Sequence, residues 1–305
     1  MTRPFVSVVM STYNGEKFLR EQLDSILKQK DVEIRLCIRD DGSSDKTLSI
    51  LDEYASKSVT ILKGDNIGAK FSFLYALQKA PDADYYAFSD QDDVWDDDKL
   101  TIAISKIKET EKNNSDKPLL YSGRTRLVDL NLNFMQNGKN HHRRDVKWLC
   151  GEPLSAAGCT MVFNKKLKDI VASYIPVNFP MHDAWVTNVC LAVGGKIVYD
   201  DIPHISYRQH SSNVVGGKKD FFTSIKRRIH FYKKMGANYH IKMYKEIMTN
   251  YESLMSESII NRCKKICNYR CNLKSKIDII KDKMFWQGSI KWKIETLCLV
   301  IFNYY

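Results

Sequence analysis

The chain has 305 residues, 44% of them hydrophobic, which is enough for one large domain with an appendage. No run reaches the ~18–20 apolar residues that a membrane-spanning helix needs, and no signal peptide is evident before the first predicted strand. The formal net charge is +11, and the eight cysteines show no CxxC spacing, so reduced thiols are expected rather than disulfides.

Short apolar runs alternate with helical patterns along the first 90 residues. The runs at 6–10, 34–38, 59–62 and 85–88 are typical of strands buried in a parallel sheet. Helical patterns follow the first three runs. Polar clusters at 11–15, 39–45 and 89–95 come directly after the first, second and fourth runs. This alternation predicts a parallel α/β sheet. Because ligands bind at the carboxyl ends of such strands, we expect the three polar clusters to share one cleft.

Six aspartates lie within nine residues, from Asp90 to Asp98, directly after the fourth predicted strand. Like charges packed this closely repel one another unless a cation neutralises them. Carboxylates with no nearby His or Cys favour Mg²⁺ or Mn²⁺, which bind a few protein carboxylates together with phosphate oxygens. The run therefore indicates a metal site that seats a diphosphate leaving group. The alternative is a solvated acidic turn, in which the aspartates from Asp96 onward are the acidic residues at the start of a helix.

The positive charge is concentrated in the C-terminal part of the chain. From Lys218 onward there are 19 Lys and Arg residues against seven Asp and Glu residues. Residues 218–234 place Phe221, Phe222 and Ile225 on one helical stripe, as in basic helices that lie on anionic membranes. No nucleic-acid motif accompanies the basic residues, so nucleic acid is not an expected partner. The sequence therefore predicts a domain at 1–217 and a basic helical extension at 218–305. The extension either binds a membrane or, as the alternative, packs on the domain.

Three of these motifs together resemble the family 2 glycosyltransferases with the GT-A fold, over about residues 6–217. Residues 6–14 resemble the family's opening strand and turn, and residues 39–45 resemble its second nucleotide-binding turn. Residues 90–92, Asp-Gln-Asp, match its DxD metal motif. Residues 89–95 and 207–213 are further similar to bacterial rhamnosyltransferases of surface-polysaccharide synthesis. The implied fold is a Rossmann-like α/β domain, with a mostly parallel sheet and flanking helices, followed by the basic helical tail.

The resemblance implies a nucleotide site built from the first two polar turns. Ser11, Tyr13 and Asn14 belong to the first turn, and Ser11 and Asp41 are expected to touch the base. An aspartate can accept the N3–H that uracil and thymine share, so the expected donor is a UDP- or dTDP-sugar. An Asx-turn or a helix cap is the alternative role for Asp41.

The resemblance also implies a bound Mn²⁺ or Mg²⁺. Asp92 is the expected direct ligand, and Asp90 is expected to hold the ribose or a metal-bound water. His210 is a candidate further ligand or a hydrogen-bond partner of the diphosphate, with a structural role as the alternative. Arg208 is a candidate diphosphate contact, because a guanidinium suits phosphate geometry.

Asp183 occupies the second position of the family's Glu-Asp motif, and His182 stands where the glutamate is usual. The resemblance implies that Asp183 takes the proton of the acceptor hydroxyl while that oxygen attacks the anomeric carbon. The attack comes from the face opposite the diphosphate and inverts the configuration. The alternative is a helix cap or a carboxylate paired with a basic neighbour.

Together these implications predict an inverting, metal-dependent glycosyltransferase. It would move L-rhamnose from dTDP-L-rhamnose to a hydroxyl of a growing bacterial surface polysaccharide, such as a capsule or O-antigen. The expected acceptor is a lipid-linked glycan, and the expected location is the cytoplasmic side of the cell membrane, with peripheral attachment. The alternatives are the same chemistry with a UDP-hexose donor and a non-catalytic sugar-nucleotide-binding protein of the same fold.

Overall fold

The computed structural model describes residues 2–138, 156–210, 239–282 and 290–303. Within them, nine strands form one sheet. They are β1 (Phe5–Thr12), β2 (Glu33–Asp40), β3 (Val59–Lys63), β4 (Tyr85–Ser89), β5 (Val94–Trp95), β6 (Leu119–Val128), β7 (Phe134–Asn137), β8 (Met161–Asn164) and β9 (Lys196–Arg208). The four strands predicted from apolar runs are β1 to β4, and their observed ends lie within two residues of the predicted ones.

The strand order is β3-β2-β1-β4-β8-β6-β9-β5, with β7 paired to β6. The strands β3, β2, β1 and β4 are parallel, and Val8 of β1 lies between Leu36 of β2 and Ala87 of β4. Strand β8 then runs antiparallel to both β4 and β6, whereas β6 and β9 are parallel. The predicted parallel α/β sheet is thus present in the first half. Since β1, β2 and β4 run in the same direction, their carboxyl ends meet at one edge of the sheet.

Helices flank the sheet and continue into the C-terminal region. They are α1 (Leu19–Leu27), α2 (Thr47–Tyr54), α3 (Ala69–Lys79), α4 (Lys99–Glu111), α5 (Lys165–Ala172), α6 (His182–Ala192), α7 (Tyr239–Tyr251), α8 (Glu257–Asn268), α9 (Leu273–Lys281) and α10 (Ile290–Ile301). The first three follow β1, β2 and β3, as the helical patterns predicted. The basic helical C-terminal region is present from α7 onward in the described residues.

Both faces of the sheet are covered, which explains why the strands read as continuous apolar runs. Val8 packs in one core cluster with Leu23 of α1 and Ile104 of α4. The next residue, Val9, points to the other face and packs in a second cluster with Leu74 of α3. Full burial of each such side chain contributes about 1.5–3 kcal/mol before the entropy of ordering is subtracted. The two clusters hold the sheet edge that carries the polar turns.

Helix α7 belongs to the same core as the sheet. Its Tyr244 and Ile247 are buried in the cluster that also contains Trp185 of α6, and the Trp185 ring lies 6.2 Å from that of Tyr251. The predicted membrane-binding segment, residues 218–234, lies outside the described residues. Among the helices that the structure describes, none combines the length and apolar character that crossing a membrane requires.

Candidate active site

The turns after β1 and β2 are tied together by hydrogen bonds. The backbone N–H of Asn14 donates to Oγ of Ser43 at 2.9 Å, and the N–H of Ser44 donates to Oδ1 of Asn14 at 2.8 Å. Asn14 has a φ of 48°, in the left-handed region that Asn enters more readily than most residues. The side chain of the adjacent Tyr13 remains exposed. These contacts fix the two predicted nucleotide-binding turns relative to each other.

Gln91, the middle residue of the aspartate motif, joins the turn after β4 to the turn after β1. Its Oε1 accepts from the N–H of Tyr13 at 2.9 Å, and its Nε2 donates to the carbonyl of Tyr13 at 3.1 Å. A Cβ on Gly15 would lie 2.4 Å from that Oε1, so a larger residue at this position would displace the Gln91 amide. Gln91 is absent from the predicted site residues, because the DxD pattern leaves the middle position unspecified.

The Asx-turn and the contact at the start of α2, which were the alternative roles for Asp41, are made by Asp40 and Asp45 instead. Oδ1 of Asp40 accepts from the N–H of Ser43 at 2.9 Å in an Asx-type turn. Oδ1 of Asp45 accepts from the N–H of Thr47 at 2.9 Å, at the start of α2. Asp41 therefore fills neither of the two structural roles that the sequence left open for it.

Asp41 is buried in a cluster with Arg39, two residues before it. The Arg39 guanidinium donates to Oδ1 of Asp41, and the N–H of Ile67 donates to the same oxygen at 3.0 Å. The N–H of Gly68 donates to Oδ2 at 2.9 Å. A carboxylate offers about four acceptor positions, so these three bonds leave one. Asp41 holds the segment before α3 against the end of β2.

Ser11 joins the same cluster through Ser72 of α3. Oγ of Ser11 donates to Oγ of Ser72 at 2.7 Å, and Nη1 of Arg39 donates to that oxygen at 3.2 Å. The structure thus brings Ser11 and Asp41, the two predicted base contacts, into one buried network. Arg39 and Ser72 are the connecting residues that sequence reasoning missed. A lone arginine at the end of an apolar strand was the available signal.

Asp90 follows β4 and faces other carboxylates. Burial raises the pKa of Asp90 to about 7, and the negative charges of Asp92 and Asp183 add to this increase. The predicted metal-binding aspartates and the predicted base therefore lie close enough to interact electrostatically. Such mutual repulsion is the condition that a divalent cation relieves.

Asp93 is the fully buried member of the motif. Its Oδ1 accepts from the N–H of Arg208 at 3.2 Å. Burial raises the pKa of Asp93 well above its usual range, with further contributions from the charges of Asp90 and Asp92. Burial also lowers the pKa of the neighbouring Lys99 to about 7, while Asp93 acts on Lys99 in the opposite direction. Within the described residues, Oδ2 of Asp93 and Nζ of Lys99 have no hydrogen-bond partner, so the two groups interact electrostatically without forming a direct ion pair.

His210 reaches the aspartate motif because β9 runs back past it. Strand β9 pairs with β5 through Ser206 and Val94, two residues after Asp92. Nε2 of His210 lies 2.6 Å from Oδ2 of Asp92, and the two side chains are 19% and 20% exposed. The structure therefore brings these two predicted metal ligands together at an accessible position.

Arg208 does not occupy the position predicted for it. Its Nε donates to the carbonyl of Asp92 at 2.9 Å, its Nη1 donates to the carbonyl of Leu130 at 2.5 Å, and its Nη2 pairs with Glu21. The side chain is only 2% exposed and lies over the ring of Phe18. Contrary to the prediction of a diphosphate contact, the guanidinium is committed to these groups and anchors the backbone that carries Asp92.

The remaining aspartates of the acidic run are paired elsewhere. Asp96 forms an ion pair with Arg126 at 2.8 Å, and Asp97 forms one with Lys30 at 3.0 Å. Asp98 directly precedes the first residue of α4. The acidic run thus has two parts. Residues 90–93 form the carboxylate cluster, and residues 96–98 form the acidic segment directly before α4 that was the alternative interpretation.

Asp183 lies in the first turn of α6. Its Oδ1 accepts from the N–H of Ala184 at 2.6 Å, and its Oδ2 accepts from the N–H of Gly158 at 3.3 Å. Burial raises the pKa of Asp183 to about 6, although these backbone hydrogen bonds oppose the increase. Among the described residues no Lys or Arg forms an ion pair with it, so the paired-carboxylate alternative is not met. A carboxylate with a pKa near neutrality suits a general base.

His182 is buried in an aromatic pocket next to Asp183. Its ring stacks on Phe73 at a centroid distance of 3.9 Å and meets the edge of Phe88 at 4.8 Å. Burial lowers the pKa of His182 to about 3, so the imidazole is neutral. Neither ring nitrogen has a hydrogen-bond partner within the described part of the chain. His182 thus supplies packing beside Asp183 and adds no charge to the acidic cleft.

The accessible carboxylates fit a divalent cation better than the buried ones. Asp90, Asp93 and Cys159 each place a ligand atom within 4.8 Å of the others. However, burial raises the pKa of Cys159 well above its usual range, so it remains a thiol and a poor ligand for a hard ion. Asp92 and His210, which are 20% and 19% exposed and lie 2.6 Å apart, offer a carboxylate and an imidazole that suit Mn²⁺ or Mg²⁺ with phosphate oxygens as further ligands.

Known proteins share both the sequence pattern and the fold. The sequence model of the family described as Glycosyl transferase family 2 matches residues 7–171. The dTDP-rhamnosyl transferase RfbG of Shigella flexneri is 31% identical over 268 residues, which cover 83% of this chain and 86% of that protein.

Two solved structures resemble the chain at low sequence identity. S. aureus TarS 1–349 aligns with a TM-score of 0.56 and 17% identity, covering 99% of this chain and 80% of that one. The mannosyltransferase PcManGT from Pyrobaculum calidifontis, in complex with GDP-Man and Mn²⁺, aligns with a TM-score of 0.50 and 16% identity. That match covers 99% of this chain and 86% of the other. At these identities the likeness concerns the fold alone.

Proposed function

The chain belongs to glycosyl transferase family 2 and is a glycosyltransferase with the GT-A fold, as its motifs predicted, and on this premise we propose a specific reaction. The enzyme transfers L-rhamnose from dTDP-L-rhamnose, with inversion, to a hydroxyl of a growing bacterial surface polysaccharide. The similarity to a protein named as a dTDP-rhamnosyl transferase, over most of both chains, supports this donor.

The observation that carries the proposal is the convergence of three carboxylates. Burial, with the charges of Asp92 and Asp183, raises the pKa of Asp90 to about 7. This closeness supports a site in which a metal-binding pair and a general base act together near the sheet edge where ligands of α/β domains bind. The proposed division of labour gives Asp92, Asp90 and His210 to the cation and Asp183 to the acceptor.

The cluster around Asp41 supports a pyrimidine nucleotide. Arg39, Ile67 and Gly68 already occupy three of the acceptor positions of this carboxylate, so one hydrogen bond can be added. Thymine and uracil present a single N3–H on that edge, whereas guanine presents two adjacent donors. We assign Asp41 and Ser11 to the base, and the exposed turn at Tyr13 and Asn14 to the rest of the nucleotide.

The chemical step is a single displacement. The acceptor oxygen forms a bond to the anomeric carbon as the bond from that carbon to the diphosphate oxygen breaks, and Asp183 receives the hydroxyl proton. A bound Mn²⁺ or Mg²⁺ supplies neutralisation of the charge on the departing dTDP. Arg208 serves this step indirectly, because it fixes the backbone on which Asp92 sits.

A nucleotide-sugar panel tests the donor. Bound at 100 times its Kd, a donor adds about 2.7 kcal/mol to the stability of the folded protein and raises the melting temperature. With Mn²⁺ present, we expect dTDP-L-rhamnose to stabilise and to be consumed, and GDP-mannose to do neither. If only a UDP-hexose is consumed, the donor assignment is wrong, but the proposed inverting transfer remains. Binding without turnover of any donor, with cell-surface acceptor glycans supplied, would point to a non-catalytic binding protein.

The acceptor that we propose is a lipid-linked glycan, reached by peripheral attachment to the cytoplasmic side of the cell membrane. The basic, aromatic segment 218–234 is the proposed membrane contact. Apolar side chains near the C-terminus offer support: Leu273 and Phe302 are 73% and 67% exposed. Nζ of Lys276 donates to the carbonyl of Ile301 at 3.2 Å, which places α9 beside the end of α10. Apolar groups beside lysines suit an anionic bilayer surface.

Replacement of Lys226, Arg227 and Arg228 by Ser is expected to move the protein from the membrane fraction to the soluble fraction. Each basic residue near an anionic surface contributes roughly 1 kcal/mol, and this contribution falls as ionic strength rises. Co-sedimentation with phosphatidylglycerol vesicles, at low and high salt, measures the effect. A matched control removes three exposed charges from the catalytic domain, Lys28, Lys57 and Lys112. Wild-type protein that stays in the supernatant at low salt would contradict membrane attachment.

A further inference from the structure

Helix α7 contacts the segment that leads into Asp183, although both lie beyond the residues that the family model matches. Glu246 of α7 accepts hydrogen bonds from the hydroxyl of Tyr174 and the backbone N–H of Val177, each at 2.6 Å. Its other oxygen accepts from the backbone N–H and the side-chain amide of Asn178, at 2.9 and 3.1 Å. Four donors from one loop thus converge on a single carboxylate.

These hydrogen bonds fill the acceptor capacity of an ionised carboxylate. Burial opposes ionisation of Glu246, but the bonds from Tyr174, Val177 and Asn178 outweigh it and hold the pKa of Glu246 below its usual range. Hydrogen bonds to a charged acceptor are stronger than those between neutral groups. The segment at 174–178 therefore has a strong attachment to α7 in addition to its own chain connections.

A second set of contacts joins α7 to the helix that carries Asp183. The hydroxyl of Tyr244 donates to Oδ1 of Asn188 at 3.1 Å, and Nδ2 of Asn188 donates to the carbonyl of Ala184 at 2.8 Å. Ala184 is the residue whose N–H binds the Asp183 carboxylate. Helix α7 is thus linked through two hydrogen bonds to the first turn of α6.

The segment is also fixed at its other end, just before α6. Nζ of Lys70 on α3 donates to the carbonyl of Phe179 at 3.1 Å and lies 4.5 Å from the Phe179 ring centroid. Phe179 is fully buried, four residues before Asp183. Glu246 and Lys70 therefore hold the two halves of the loop between α5 and α6.

We propose that Glu246 is a positioning residue, through which the C-terminal helix α7 sets the placement of Asp183 and becomes part of the active site. The inference rests on the proposed function in giving Asp183 the role of base, and its kinetic test uses the proposed donor. Catalytic rates are sensitive to the position of the base, since a displacement of about 1 Å can lower the rate about 100-fold. Donor binding uses the other polar turns and does not depend on this loop.

The test compares Glu246→Gln with Glu252→Gln, a matched change at an exposed position directly after α7. The glutamine amide keeps one acceptor oxygen but turns an NH₂ group toward the loop, so two of the four bonds are lost. In Glu246→Gln we expect turnover of dTDP-L-rhamnose with Mn²⁺ to fall about 10- to 100-fold, with an unchanged Kd for dTDP. Hydrogen exchange should increase in peptides that cover residues 173–186 and stay unchanged in β1 and β4. Glu252→Gln should match the wild type in every measurement.

Three results would overturn the inference. The first is unchanged exchange at 173–186 in Glu246→Gln, and the second is increased exchange there with full turnover. The third is a parallel loss of dTDP affinity, which would indicate general unfolding. If Glu246→Gln does not fold, Tyr174→Phe removes one of the four bonds and should give a smaller change of the same kind. Absence of turnover in the wild type would refute the proposed donor or function, while the exchange measurement still decides whether Glu246 fixes the loop.

Discussion

Asp92→Asn is expected to abolish sugar transfer and metal-dependent donor binding while the fold persists. The Asp92 side chain is partly exposed, it contacts His210 at 2.6 Å, and its charge contributes to the raised pKa of Asp90. Asparagine keeps the shape but removes the charge that a hard cation requires. Calorimetric titration with dTDP, with and without Mn²⁺, should show metal-dependent binding in the wild type and none in the variant.

The folded state of Asp92→Asn should be at least as stable as the wild type without metal. Removal of one carboxylate lessens the repulsion at Asp90, whose pKa should then move down toward its usual range. Thermal unfolding in EDTA measures this difference. Asp97→Asn is the matched control, since Asp97 belongs to the same acidic run but pairs with Lys30 at the surface. Wild-type turnover that persists in EDTA would refute the metal assignment.

The parallel half of the fold could be predicted because its signals are local. The strands β1, β2 and β4 are largely buried on both faces and form continuous apolar runs, whereas β3, at the edge of the sheet, is only partly buried. Each of the first three strands is followed by a helical pattern. The second half gives weaker signals. Strand β8 has four residues and is inserted antiparallel between β4 and β6, an order that no local pattern specifies.

In the site, too, residues within local motifs could be predicted, whereas contacts between distant parts of the chain could not. The motifs predicted Asp90, Asp92, Asp183 and His210 as site residues, and the structure places Asp92 against His210 and brings Asp90 within electrostatic range of Asp92 and Asp183. The pattern could not show that Arg208 is buried, because its partners, Glu21 and Leu130, are separated from it by 187 and 78 residues. The same limit hid the contacts of Gln91, Arg39 and Glu246.

Asp183→Asn is expected to retain donor affinity and to lose transfer by about 10²- to 10⁴-fold, the usual contribution of a general base. The base acts in the chemical step, and the Asp183 carboxylate accepts its hydrogen bonds from Gly158 and Ala184, which lie outside the turns assigned to the nucleotide. Steady-state kinetics should therefore show a reduced kcat with a nearly unchanged donor Kd. Asp169→Asn, on the surface of α5, is the matched control.

The pH dependence of the wild type gives an independent measure of the same assignment. Burial raises the pKa of Asp183 to about 6, so the base becomes protonated as pH falls through that value, and kcat/KM should decline there.

The raised pKa of Asp183 has the opposite consequence for the stability of the folded protein. A carboxyl whose folded pKa lies above its unfolded value favours folding when protonated, and this contribution is lost as pH rises through the folded pKa. Asp183→Asn should thus be at least as stable as the wild type at pH 7, and its residual activity should lack the acidic limb near pH 6. A fall in donor affinity equal to the fall in rate would instead assign Asp183 to the structure of the cleft, because a proton acceptor acts only after the donor is bound.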